Sequence, residues 1–228
     1  METLNDNYTI FETEPVPYGQ RMKLRLLRHR LGAYIVRNER GGIFGRQSYP
    51  EGTFRKYYQE YVNLGEERAS HLQKLIQHGI NVAPTYFVAG TDSFDYLRLY
   101  SLTKEIKGHN LQTYRHQPAD DETELANTYN DLLINLCSYY QKQFANNDFI
   151  MDDIACVRQY MLEKTEHKSK IYLVDTDISL SGPYPEVAVS TINKLRKSAE
   201  NLASKFADCG GQMELSFSAI KQLESKIL

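Results

Sequence analysis

The period of hydrophobicity changes along this chain, and that change restricts the fold more than any other feature. The stretch MKLRLLRHRL, residues 22–31, alternates apolar and basic residues, the pattern of a strand with one wet face. From 54 to 78 the spacing becomes helical, with Phe54, Tyr57, Tyr58, Tyr61, Leu64, Leu72, Leu75 and Ile76 as its apolar positions. The helical period returns at 121–145, through Leu125, Tyr129, Leu132, Leu133, Leu136, Tyr140 and Phe144. It returns again at 186–206, through Val189, Ile192, Leu195, Ala199, Leu202 and Phe206. Strands gathered early and helices gathered late define an α+β chain.

Turn residues divide these segments further. A short strand is expected at 8–11, before Pro15 and Pro17. Gly32 ends the alternating stretch, 33–38 reads as a second strand, residues 39–42 as a turn, and 43–49 as a third strand of an antiparallel meander. Thr53 has the chemistry of a helix N-cap, Gly65 is a point at which the helix could divide, and Gly79 suits its C-terminal end. Strands are expected after Pro84 and at 95–104. Two more, at 158–163 and 171–175, flank the polar hairpin KTEHKSK, and a final helix is expected at 216–227. The natural division is a β-rich part, 1–103, and a mostly helical part with an embedded hairpin, 104–228.

The 228 residues carry a formal net charge of −2, so no global field points to nucleic acid. The charge is unevenly spread. Residues 20–60 hold ten Lys/Arg against three Asp/Glu, and residues 117–153 hold eight Asp/Glu against one Lys. Such asymmetry describes either two solvated faces or a basic region that meets an anionic partner. Cys137, Cys156 and Cys209 are widely spaced, which fits a reducing compartment such as the cytoplasm and neither a disulfide framework nor a zinc site. The opening METLNDNYTIFETE is acidic and does not read as a secretory signal, and no apolar run approaches membrane-spanning length.

Candidate chemistry gathers at IYLVDTDISL, where an apolar strand runs into Asp175 and then Asp177. Carboxylates at a buried strand's mouth are hard oxygen ligands for a cation such as magnesium, and Asp is equally a common turn cap. Roughly twenty residues upstream, Asp152 and Asp153 offer a base or an orienting carboxylate, or else an acidic helix start.

In order and spacing, residues 20–205 resemble the protein-kinase-like fold, nearest to its aminoglycoside, choline and lipopolysaccharide kinase branches. Ile43-Phe44-Gly45-Arg46 stands where that family has V-A-I-K. Lys104-Glu105-Ile106-Lys107-Gly108-His109-Asn110-Leu111 is similar to the "TE-x-x-x-G-x-x-L" pattern of its hinge, and D-T-D stands at D-F-G. The resemblance implies a two-lobed fold, with a β-rich N-lobe and a small helical C-lobe, that uses ATP and Mg to phosphorylate a sugar or another small hydroxyl compound. It assigns cofactor binding to Arg46, to Glu67 (with Glu60 and Glu66 as alternative partners of a strand cation), and to Glu105 and Ile106. Asp152 or Asp153 takes the catalytic role, and Asp175, Asp177 and Gln159 become metal ligands. The chain also departs from the family. H-R-D is absent, Val157 or Arg158 stands where the second metal-binding Asn is expected, Arg replaces the strand lysine, and there is no glycine-rich phosphate loop. These losses equally describe a catalytically inactive pseudokinase that binds a protein partner. A metal-dependent glycosyltransferase using D-x-D is a third reading, though little chain follows the motif and no βαβ start precedes it.

Overall fold

The computed structural model describes residues 22–24, 34–44, 50–91, 96–114, 122–165, 168–175, 180–207 and 217–228. The strand expected at 8–11 lies outside them, as do Arg46, Asp177, Cys209 and the turn between 91 and 96. The protein is α+β, with small antiparallel sheets. Its chain divides into two compact units, Met1–Gln73 with Ala83–Glu105, and Lys74–Val82 with Ile106–Leu228.

In the first unit, β1 (Met22–Leu24), β2 (Tyr34–Phe44), β3 (Thr85–Thr91) and β4 (Tyr96–Lys104) form one sheet of order β1-β2-β4-β3. The turn expected at 39–42 is not a turn. Tyr34–Phe44 is one strand, and the register against β4 slips between Asn38 and Arg40 and again between Arg40 and Ile43. The Gly41-Gly42 pair is absorbed as bulged backbone, which glycine permits without strain. β4 lies between two partners, and its seven residues from Leu97 to Thr103 are all buried, so its sequence cannot alternate. Its Thr103 faces Thr85 on β3, with their hydroxyls 3.2 Å apart.

Helix α1 (Glu51–Gln77) starts two residues before Thr53, because the Pro50 carbonyl accepts from the N–H groups of Thr53 and Phe54. The helix does not divide at Gly65. The helix passes β3 and β4 there at ordinary packing distance, since a Cβ on Gly65 would stand 3.4 Å from Phe87 and 3.5 Å from Leu99. Phe54, Tyr61, Val62, Ala69 and Leu72 supply the buried face.

The last turn of α1 belongs to the second unit. Gly79 has φ 77°, its N–H donates to the Ile76 carbonyl, and the Ile80 N–H reaches back to Leu75. This is a Schellman ending, with Leu75 and Ile80 both buried, and the Asn135 side-chain amide donates to the Gly79 carbonyl at 3.0 Å.

Helix α2 (Glu122–Ala145) packs against β8 (Ser169–Leu173), α3 (Pro185–Ala207) and α4 (Phe217–Ile227). β5 (His109–Asn110), β7 (Tyr160–Lys164) and β8 form a three-stranded sheet. β6 (Ile150–Met151) pairs with β9 (Leu180–Ser181), and a parallel bridge joins Val82 to Leu173. On α3 the inward positions are Ala188, Ile192, Leu195, Ala199 and Leu202. Val189, expected inside, is 44% exposed because it lies one residue off that stripe. Among the described residues, no helix is long and apolar enough to cross a membrane.

Candidate functional site

Two short backbone segments carry most of the expected site residues, and the second unit fastens both. The first leaves β6 at Met151, passes through the 3-10 turns Asp152–Ala155 and Val157–Gln159, and enters β7. The second leaves β8 at Leu173 and enters β9 at Leu180. At one end the Val174 N–H donates to the Gln159 carbonyl at 3.0 Å. At the other, Met151 pairs with Leu180. Both segments therefore run between the same two junctions. Six peptide steps separate Val174 from Leu180, which span at most about 20 Å. Asp175 is one step from the first junction and Asp152 is one step from the second.

Tyrosines hold this turn from beneath. The Tyr140 hydroxyl donates to the Met151 carbonyl and the Tyr160 hydroxyl to the Ile154 carbonyl, both at 2.8 Å, while the Met151 N–H donates to the Tyr139 oxygen at 3.3 Å. All three rings are buried, and these bonds satisfy polar groups that would otherwise be costly there. Burial pushes the Tyr139 phenol up to about 12 and raises those of Tyr140 and Tyr160 as well.

Helix α3 closes the turn from another side. The Lys194 ammonium lies 2.6 Å from Asp152 and 3.7 Å from Asp153. One helical turn further on, the Ser198 hydroxyl donates to the Ala155 carbonyl at 2.7 Å. Partial burial alone would lower the Lys194 pKa, but the hydrogen bond to Asp152 and the charges of both aspartates outweigh it and raise the value. Asp152 and Asp153 open a 3-10 turn, so they are an acidic helix start and also a pair of carboxylates gripped by one ammonium.

The hinge-like stretch has a structural explanation. A Cβ on Gly108 would run into the Leu162 carbonyl on β7, so only glycine allows this approach. Immediately after it, His109 and Asn110 pair with Leu162 and Met161, and the Leu111 N–H donates to Tyr160 at 2.9 Å. Leu111 itself is wholly buried. The G-x-x-L spacing thus records one close approach and one anchor. Glu105 and Ile106, both half-buried, are where the chain passes from one unit to the other. Glu60, Glu66 and Glu67 are exposed on α1.

The junctions bring Gln159 beside Asp175 and the Asp152/Asp153 pair beside the entry to β9. Sequence reasoning did not find Lys194, Ser198 or the three tyrosine hydroxyls, because a lysine on a helix flank and tyrosines in apolar stripes carry no motif. Among the described residues, no three His, Cys, Asp or Glu side chains form a metal-binding group. Asp175 lies half-buried just past the end of β8. No protein-family model matches the chain, and neither does any curated protein.

Proposed function

We propose that the chain is a divergent kinase-like protein that binds a magnesium–nucleotide through Asp175 and phosphorylates a small hydroxyl compound such as a sugar. The observation that carries this reading is the shared pair of junctions, which ties the segment of Asp152 and Asp153 to the segment of Asp175. One further feature supports it. The element order from α1 through β4, α2, the 3-10 turns and the β7–β8 hairpin to Asp175 follows the order the resemblance implies.

The nucleotide's magnesium would neutralise phosphate charge, with Asp175 as its carboxylate and Asp177 and Gln159 as supplementary oxygen donors. Asp152 would orient the acceptor. One of its carboxylate oxygens faces Lys194, which leaves the other to accept a hydrogen bond from a substrate hydroxyl. The resemblance further assigns nucleotide contacts to Arg46, Glu67, Glu105 and Ile106. The Lys194–Asp152 ion pair also favours a second reading, a pseudokinase in which that acid is purely a structural anchor and the surface serves a protein partner.

Thermal melting with ATP, with and without magnesium, tests the binding claim. A magnesium-dependent rise in Tm that Asp175→Asn removes is expected, and no rise with any nucleotide would sink it. Transfer of the terminal phosphate to a panel of sugars and small alcohols then separates the two readings. Binding without transfer would favour the pseudokinase.

A further inference from the structure

Away from these segments, the second unit contains a cavity of about 400 Å³ whose three walls are cross-tied. One wall is the turn Gly79–Asn81, the second is the α2 stripe from Thr128 to Asn135, and the third is the start of β8. Asn135 ties α2 to the turn through the Gly79 carbonyl at 3.0 Å. The turn is tied to β8 by the Asn81 side chain on the Ile171 carbonyl and by the Leu173 N–H on the Asn81 carbonyl, at 3.3 and 2.8 Å. Glu124 ties α2 to β8 through the Ser169 N–H and hydroxyl. A space bounded in this way is formed before any ligand arrives, which lowers the ordering cost of binding.

The lining is divided by chemistry. Ile80, Leu132 and Ile171, all nearly inaccessible, give an apolar floor. Lys168 and Lys170 bring two exposed ammonium groups on the β8 side, and Asp131 brings one carboxylate on the α2 side. The side-chain amides of Asn81 and Asn135 each give one N–H to a wall contact, and their acceptor oxygens remain for a ligand. From this division we infer a binding site for a small hydroxylated organic anion. Its charged end lies at Lys168 and Lys170, its hydroxyls meet Asp131 and the amide oxygens, and its carbon skeleton covers the floor. The site is independent of Asp175.

Isothermal titration of the full chain with a hexose monophosphate, the parent hexose, inorganic phosphate and citrate tests the inference. The phosphorylated sugar is expected to bind at least tenfold more tightly than the hexose or inorganic phosphate, and more weakly as salt is added. Citrate binding as tightly as the hexose monophosphate would identify a carboxylate ligand, and would support the same anion site. The double variant Lys168→Gln/Lys170→Gln should lose at least tenfold in affinity at unchanged Tm, because both side chains are exposed. Asp131→Asn should weaken the hydroxylated ligands and leave inorganic phosphate unaffected. The idea is overturned if no probe binds, or if the lysine variant binds as the parent does. Asp175→Asn should leave this binding intact even where it abolishes the nucleotide response, which separates the two sites.

Discussion

Gly108 is the residue at which a sequence pattern and a physical constraint coincide most directly. Its neighbour across the contact is main chain, the Leu162 carbonyl, and main chain cannot rotate away as a long side chain can. Gly108→Ala is therefore expected to cost about 2–4 kcal/mol, in the range of severe strain or overpacking, seen as a lower urea midpoint. The substitution Gly65→Ala is the contrast. Its Cβ would meet only side-chain carbons at ordinary van der Waals distance, so a change within about 1 kcal/mol is expected. The resemblance to a kinase hinge marked Gly108, and the Leu162 carbonyl gives that glycine a packing cause. Lys194 is the opposite case. Its partner Asp152 lies 42 residues away, and nothing local in NKLRK distinguishes it from a solvated lysine.

Elements were legible in proportion to their length. The helices α1, α2, α3 and α4 each repeat an apolar spacing over several turns, and each falls within a few residues of its expected bounds. Two-residue strands such as β5, β6 and β9 have no period to detect, yet they set the junctions of the site. Strand β2 misled for another reason, since Gly-Gly is a strong turn signal unless a neighbouring strand tolerates bulges.

The element most open to test is the 150–160 turn with its tyrosine supports. Folding raises the proton affinity of Tyr139, Tyr140 and Tyr160 and of the Cys137 thiol, chiefly by burial. A thiol or phenol whose pKa is raised on folding stabilises the fold fully below its unfolded value and loses that contribution as pH climbs. The unfolded values are 9.0 for Cys and 10.0 for Tyr, and Cys137 and Tyr139 reach about 12 when folded. The ammonium of Lys194, also raised, acts in the same direction above 10.5. The urea midpoint should hold steady below pH 9 and fall progressively from there toward 12. Tyr160→Phe should flatten that fall, and it should cost about 1–3 kcal/mol at neutral pH because the buried Ile154 carbonyl loses its donor. A midpoint indifferent to alkaline pH would contradict this account.

At the scale of the whole molecule, the chain does not divide at a single point. Lys74–Val82 lies between two segments of the first unit in sequence but counts with the second. Leu75, Ile80 and Val82 are buried there, and the Asn81 carbonyl accepts from Leu173. A fragment of residues 106–228 would lose three apolar groups worth about 1.5–3 kcal/mol each. That is comparable with the whole stability of a domain, about 5–15 kcal/mol. The fragment is expected to show no cooperative thermal transition by circular dichroism, and a sharp transition would refute this. Hydrophobic period reveals that a helix buries one face, but it does not say which body receives the helix's last turn. Sequence therefore reached the α+β class and the bounds of the long helices, while the junctions between the two short segments depended on contacts far apart in the chain.

The chain has seventeen tyrosines and no tryptophan, so its near-ultraviolet absorption is essentially a tyrosine spectrum. Burial holds the protons of the phenols that prop the 150–160 turn to higher pH than those of accessible rings. In an alkaline titration, phenolate colour should develop in two waves, an early one from accessible rings and a late one in step with the loss of helix. The second wave would give the opening of this turn an optical signal of its own, with no label attached.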